Sequence, residues 1–425
     1  MSTILIARSR AQGATSAAPP TFLQRTLRRG VLQRLRALRS GALRLRDALG
    51  EELLGNPDGP LGVIELEVHD PGFWSSVAAR GSLGAGEAFV AGVWQTSDLV
   101  AMLRLFVRDR EVLTDVDSSL WSLPQQWFLR VHHWLRDNSR HGSKKNIADH
   151  YDLGDDLFAK FLDPSMTYSS AWFEHAGQSL ADAQQAKLRR LCQLVDLQAG
   201  DRLLEIGTGW GSLALCAAGE FGANVTTTTI SQNQHARAAE RFRAAGLADR
   251  IDLRMQDYRD LTGTYDKLLS CEMIEAVGAK WLPTYLRTCA SRLRPGGVLG
   301  LQAITIADQH YDEALRYVDY IKRHVFPGSF IPSVTAIVDA ATKHTDLRLV
   351  HMQDFGQHYA TTLQHWRRAL LADSGPFLSK PGGEQLVRAW DFYFSYCEAG
   401  FRERHIGVCH LRFERPGVPS AAGPS

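Results

Sequence analysis

Between Leu203 and Ser212 the chain reads LLEIGTGWGS: an apolar run carrying Glu205, then glycines at 207, 209 and 211. Glycine at every second position lets a backbone pass close to a ligand where any Cβ would clash. A dinucleotide turn takes its third glycine at the spacing G-x-G-x-x-G, and that slot holds Ser212. Such a turn also wants an acid about 20 residues on for the ribose hydroxyls, where this chain offers TTTTISQNQ. Nicotinamide chemistry is disfavoured on both counts.

The E-x-G-x-G-x-G turn is similar to that of Rossmann-like S-adenosylmethionine-dependent methyltransferases, where it admits the methionyl part of the cofactor. Further blocks stand around it in a fixed order. HYDLGDDLFAKFLDPSMTYSSAWF (His150 to Phe173) precedes the turn, and TTISQNQ, DYRD, EMIEAVG (Glu272 to Gly278), VFPGSFIPS and CEAGFR follow it. With these seven blocks the chain resembles the cyclopropane-fatty-acyl-phospholipid synthase family from Leu61 to Glu414. The resemblance implies S-adenosylmethionine as cofactor. Tyr168 and Ser169 would then contact its methionyl end, beside Glu205, Gly207, Gly209 and Gly211. Thr229 and Gln234 would stand in for the ribose acid, and Asp257 with Tyr258 would border the adenine, as an acceptor for its amine beside an aromatic face.

The same resemblance implies the reaction. An isolated cis double bond in an unsaturated phospholipid chain is a poor nucleophile, so an electrophilic methyl sulfonium must be brought against it in a dry pocket. The carbocation left on the chain needs aromatic faces, for which Tyr151, Tyr168, Trp172 and Phe173 are candidates. Trp172 and Phe173 read equally well as core. A base must then take a proton from the added methyl so that the ring closes. In the family that base is thought to be a bicarbonate held at five positions. Glu275, Tyr359 and the backbone of Ile304 match, but Ser170 replaces a cysteine and Gln302 a histidine, and Ala276 stands where another histidine is common. Ser170 and Gln302 can both donate to an anion, whereas a titratable imidazole is lost. Methyl transfer is therefore expected, with cyclopropane closure open against a methylene- or methyl-branched product. A lipid-binding pseudoenzyme is the competing class. Cys397 lies where the family has a cysteine regarded as an active-site candidate; the chemistry needs no thiolate, and a lone helical cysteine is usually a small buried hydrophobe.

The elements that would position these residues alternate as in a doubly wound α/β sheet. Strand-like RLLEIG, NVTTTTI, IDLRMQD, KLLSCEM and VLGLQAIT are interleaved with helical stretches, and LRLVHMQDF and IGVCHLRFE look like an antiparallel addition. The expected fold is a Rossmann-like class I methyltransferase sheet over residues 140–416. A small α+β domain over 51–125, opened by the alternating GVIELEVHD, precedes it, and a disordered tail over 417–425 follows.

Residues 1–50 stand apart in charge. Ten arginines precede Asp47, the first acidic residue, and leucines recur at 23, 27, 35, 38, 43 and 45. Such a basic amphipathic arm can lie in an anionic headgroup layer, pack on the next domain, or serve as an organelle transit peptide. Over the whole 425 residues the net charge is only +2, and no apolar run reaches the roughly 18 residues of a membrane span. The six cysteines include no Cys-x-x-Cys pair and no spacing for zinc, so reduced thiols and no metal are expected. The expectation is a cytoplasmic enzyme held peripherally on the membrane's inner face, with room for a homodimer. Nucleic acid is not expected as a partner, since no Asn/Asp-Pro-Pro-aromatic block is present and the basic charge is confined to the arm.

Overall fold

The structure is a computed structural model that describes residues 19–111 and 155–417. Tyr151, the connection at 126–139 and the tail beyond 417 lie outside the described residues. The chain divides into two compact units, one of residues 1–135, 316–327 and 363–405, the other of 136–315, 328–362 and 406–425.

In the first unit, helix α1 (Phe22–Leu35) begins at a capping box in which Thr21 and Gln24 each accept from the other's backbone N–H. Strands β1 (Ala42–Asp47), β2 (Gly50–Gly55), β3 (Val63–Val68) and β4 (Trp94–Thr96) form a sheet in the order β2-β1-β3-β4, with β1 and β3 parallel. The expected arm over residues 1–50 thus ends well before 50, because β1 is an inner strand. Val31, Leu32, Leu35, Leu38, Leu43 and Leu45 are buried in this unit's core, and Arg28 pairs with Asp47 and Glu52. Helices α2 (Gly72–Val90) and α3 (Leu99–Arg108) cover the sheet, α2 breaking at Gly81, where φ is +53°. The far segment 363–405 returns to this core through Phe392 and Ala399. The expected boundary between domains 51–125 and 140–416 is therefore redrawn: two segments of the second span pack with the first.

The second unit holds a seven-stranded sheet. Its strands are β5 (Arg202–Ile206), β6 (Asn224–Thr229), β7 (Ile251–Met255), β8 (Tyr265–Cys271), β9 (Leu293–Ile306), β10 (Arg348–Asp354) and β11 (Ile406–Glu414), in the order β10-β11-β9-β8-β5-β6-β7. Strands β5 to β9 are mutually parallel. β11 runs antiparallel to β9, and β10 antiparallel to β11. The last two strands are thus the antiparallel addition expected, and of the two only β11 runs against the parallel set. Among the described residues the helices of this unit are, in chain order, α4 (Asp155–Phe161), α5 (Leu180–Leu194), α6 (Ser212–Gly219), α7 (Gln232–Ala244), α8 (Leu282–Arg292), α9 (Tyr311–Arg316, whose last residue belongs to the first unit), α10 (Val334–His344) and the opening of α11 (Gly356–Ala372). The first unit also contains the rest of α11, α12 (Gly375–Leu378) and α13 (Gly383–Arg402). Two apolar layers flank the large sheet, one built from α8 and α10, the other from α5, α6 and α7. β5 is the middle one of the five parallel strands β9-β8-β5-β6-β7, and the turn that leaves it opens at their carboxyl edge, where ligands bind in open α/β sheets. Among the described residues no helix is long and apolar enough to cross a membrane.

Candidate active site

The turn after β5 holds Gly207, Gly209 and Gly211 at φ +101°, +53° and +89°, values that side chains with a Cβ adopt only under strain. The three glycines have different neighbours. A Cβ on Gly211 would lie 2.5 Å from the Phe242 ring, and one on Gly207 3.2 Å from Met273, whereas nothing stands within 4 Å of one on Gly209. The outer two close the turn against α7 and the β8 exit; the middle one borders free space.

Glu205 lies beneath the turn, buried, and accepts from Thr227 Oγ1 at 2.5 Å. Burial pushes its carboxyl up to about 8 against the lowering influence of Thr227 and of the Lys187 charge. Once ionised, this buried carboxylate is a receptor for an ammonium group. Along one side run aromatic rings: Tyr168 lies edge-on to Phe158 at 5.2 Å, and Trp210 is 5.2 Å from the same ring. At the end of β6, Thr229 Oγ1 donates to Gln234 Oε1 at 2.9 Å, both side chains buried. At the end of β7, both carboxylate oxygens of Asp257 accept from the Arg259 guanidinium, and burial drives the neighbouring Tyr258 phenol above its usual range. Of the residues expected around the cofactor, Glu205 and the glycines, Thr229 with Gln234, and Asp257 with Tyr258 thus follow the neighbouring strands β5, β6 and β7, while Tyr168 and Ser169 stand in the segment before α5. Their shape and charge suit S-adenosylmethionine, with an open glycine, a buried acid and paired hydroxyl and amide groups at successive stations.

The second cluster lies where β8 and β9 end. Glu272 sits at φ +48°, the left-handed region. Its Oε1 accepts from the Ser170 backbone N–H at 2.9 Å and from Gln302 Nε2 at 2.7 Å, and its Oε2 from the Tyr359 hydroxyl at 2.7 Å. Glu275, three residues on, accepts from the Ile304 N–H at 2.6 Å, while its Oε2 is buried without a hydrogen bond among the described residues. Burial, reinforced by the charge of Glu272, pushes the Glu275 carboxyl up to about 8, and burial also raises that of Glu272. The positions expected to hold bicarbonate do converge, but Ser170, Gln302 and Tyr359 donate to a side chain of the chain itself. These residues do not fit a free bicarbonate, because its donors are taken. The Ser170 hydroxyl moreover points elsewhere, to the Ala171 carbonyl at 3.0 Å.

Three further residues were not legible as site residues. Lys187, on the buried face of α5, places its Nζ 2.7 Å from Ser169 Oγ, and its charge bears on Glu205, Glu272 and Cys271. Its signal is positional: it falls four residues after buried Ala183 and four before buried Leu191. His410 faces Gln302 Oε1 across β11 and β9 at 3.0 Å, and burial drives its imidazole down to about 3. An imidazole is thus present one layer behind Gln302, neutral, orienting the amide. Glu272 is one of two acids in EMIEAVG, and nothing in the spacing sets it apart. Among the expected aromatic faces, Trp172 is covered by the Arg190 guanidinium at 3.7 Å and stacks on His358, and Phe173 packs near the same ring, so both are structural. Cys397 lies on α13 in the first unit, its thiol pushed well above the ordinary range by burial and by Asp319.

A seven-stranded sheet in this order, reversed at β11 and carrying this turn after β5, is a class I S-adenosylmethionine-dependent methyltransferase. The chain belongs to the mycolic acid cyclopropane synthetase family, whose family model matches residues 138–411. It is 37% identical to the tuberculostearic acid methyltransferase UfaA1 of Mycobacterium tuberculosis, over 81% of each chain. It is 32% identical to the cyclopropane-fatty-acyl-phospholipid synthase of Escherichia coli K12, over 83% of this chain and 88% of that one. Among solved structures, the Mycobacterium tuberculosis cyclopropane synthase MmaA2 superposes with a TM-score of 0.60 at 27% identity, over 64% of this chain and 98% of that one. The mycolic acid cyclopropane synthase CmaA1, solved with S-adenosylhomocysteine and CTAB, gives 0.59 at 27%, over the same shares. The protein is an enzyme of S-adenosylmethionine-dependent lipid modification.

Proposed function

We propose that the protein methylates the cis double bond of an unsaturated phospholipid acyl chain and closes the product to a cyclopropane. The observation that supports this most is the adjacency of the two clusters: Met273 packs on Gly207, so the carboxylate pair Glu272 and Glu275 adjoins the cofactor turn. When bound, S-adenosylmethionine supplies an electrophilic methyl group. Glu205 would receive the cofactor's ammonium, Tyr168 and Ser169 would border its methionyl end, Thr229 and Gln234 would hold the ribose, and Asp257 with Tyr258 would border the adenine. Tyr168 shields the reacting centre from water and lends its ring face to the cation on the acyl chain. Glu275, Tyr359, Ser170, Gln302 and the Ile304 amide shape the place where the proton leaves.

A second reading, a methylene-branched chain formed by a hydride shift and proton loss, is favoured by the same cluster. Ser170 and Gln302 stand where the family pattern has a cysteine and a histidine, and the relative at 37% identity is named a methyltransferase rather than a cyclopropane synthase. The substrate lies in a bilayer, and the start of α1 suits a docking role at its cytoplasmic face: Phe22 and Leu23 are 87% and 63% exposed beside exposed Arg25 and Arg29.

The test is incubation with methyl-labelled S-adenosylmethionine and monounsaturated phospholipid vesicles, followed by proton NMR of the released fatty acids. Ring methylene signals are expected. Vinylidene signals would transfer the assignment to the branched product, and cofactor binding with no label transfer would favour a lipid-binding pseudoenzyme.

A further inference from the structure

We propose that the carboxylate of Glu272 is the base that takes the proton from the transferred methyl group, so that the chain carries as a side chain the anion expected as a free ion. The inference rests on the methyl-transfer reading above and deepens it.

Three independent donors fix Glu272: a backbone N–H from the segment before α5, an amide from β9 and a phenol from α11, all at 2.7–2.9 Å. Three donors on one carboxylate favour its charged form, as the nearby Lys187 charge does, and oppose the effect of burial. Gln302 is itself oriented by neutral His410, so the amide presents its N–H rather than its oxygen. The neighbouring acid takes the complementary state. Glu275 has one oxygen on the Ile304 amide and the other buried without a hydrogen bond, and at neutral pH its carboxyl stays largely protonated beside the Glu272 charge. Burial raises both carboxyls, and the asymmetry of their donors, three on Glu272 against one on Glu275, is what assigns the shared proton to Glu275. The backbone adds a separate argument. A φ of +48° at a residue with a long side chain costs about 1–2 kcal/mol, which a position without a task would shed by becoming glycine.

The step balances. The π electron pair of the double bond forms the new C–C bond as the methyl–sulfur bond breaks, leaving a cation on the acyl chain. Glu272 accepts a proton from the new methyl group, and the C–H pair closes the ring or, after a hydride shift, forms the exocyclic double bond. The proton has the same origin in both products, so the role of Glu272 does not depend on which one forms. Glu272 ends the turnover as a neutral acid and returns its proton to water.

The test uses the full chain with labelled S-adenosylmethionine and monounsaturated phospholipid vesicles in carbon-dioxide-free buffer. The natural protein should transfer label at the same rate with and without added bicarbonate. Glu272→Gly, which removes the carboxylate and relieves the backbone, should fall at least about 100-fold, and recover in part when bicarbonate or formate enters the vacated cradle. A readout without cofactor accompanies this: bicarbonate or formate should raise the melting temperature of Glu272→Gly by about 2 °C or more and leave the natural protein unmoved. Bicarbonate dependence of the natural protein, or an undiminished rate in Glu272→Gly without added anion, would overturn the proposal while leaving methyl transfer standing. No label transfer by the natural protein would overturn the reading on which it rests.

Discussion

The ammonium of Lys187 lies 2.7 Å from Ser169 Oγ, inside the second unit, and is the cation shared by Glu205 and Glu272. A buried ammonium is costly unless hydrogen-bonded and paired, and here its charge favours the ionised forms of both the turn's acid and Glu272. Lys187→Met keeps the apolar stem and removes the charge. It should lower stability by about 1–3 kcal/mol through the lost charged hydrogen bond. It should also move the acidic limb of the pH–rate profile to higher pH, since both carboxylates lose the charge that favours their ionised forms. An unmoved profile alongside a lowered melting temperature would reduce Lys187 to a packing role.

Glu205 stands at about 8 because it is buried, so at neutral pH most of it is protonated in the free protein. Receiving an ammonium group requires the charged form. S-adenosylmethionine should therefore release a proton on binding at pH 7 and bind more tightly as pH rises from 6.5 to 8.5. Glu205→Gln should bind about 10- to 100-fold more weakly and release none. Calorimetry in two buffers of different ionisation enthalpy measures both effects, and equal proton release by the two proteins would remove Glu205 from that role.

Much of this was legible in the sequence because periodicity and motif spacing are local properties. Each strand of the large sheet falls on a stretch that alternates, runs apolar or, in β6, is rich in β-branched residues, and the glycines at 207, 209 and 211 announce a turn by themselves. What stayed hidden depends on long-range packing. Gln302 reads as a lost imidazole until β11 pairs with β9 and brings His410 behind it. Glu272 reads as one acid of two in EMIEAVG; that its carboxylate collects donors from residues 170, 302 and 359 is a property of the fold alone. The leucines of the N-terminal segment announced an amphipathic helix, but not that Leu43 and Leu45 belong to an inner strand.

Two glycines of the turn should respond oppositely to the same substitution. Gly211→Ala puts a Cβ 2.5 Å from Phe242 at φ +89°, so strain of about 1–2 kcal/mol and overpacking of about 1–3 kcal/mol add. Its melting temperature should fall by several degrees. Gly209→Ala meets nothing within 4 Å and should lose only about 1 kcal/mol, yet its methyl enters the space reserved for the cofactor. Calorimetry should find it folded and impaired in binding S-adenosylmethionine. If Gly209→Ala binds normally, the open side of the turn is not the cofactor's.

Stability should depend on pH in the sense opposite to ordinary acid denaturation over part of the range. Glu205 and Glu275 stand at about 8 in the folded chain and near 4.5 when unfolded. Between those values the native state binds more protons than the unfolded one, so stability falls as pH rises, by up to about 1.4 kcal/mol per pH unit for each group. Their contribution is least unfavourable below about pH 4.5 and levels off once pH passes about 8. Urea midpoints at pH 5.5, 6.5, 7.5 and 8.5, without cofactor, should decline toward the alkaline end. Glu205→Gln, neutral at every pH, should show a shallower decline and gain on the natural protein as pH rises. Parallel curves for the two proteins would mean that Glu205 ionises freely in the folded state, and that the proton release argued for cofactor binding has another source.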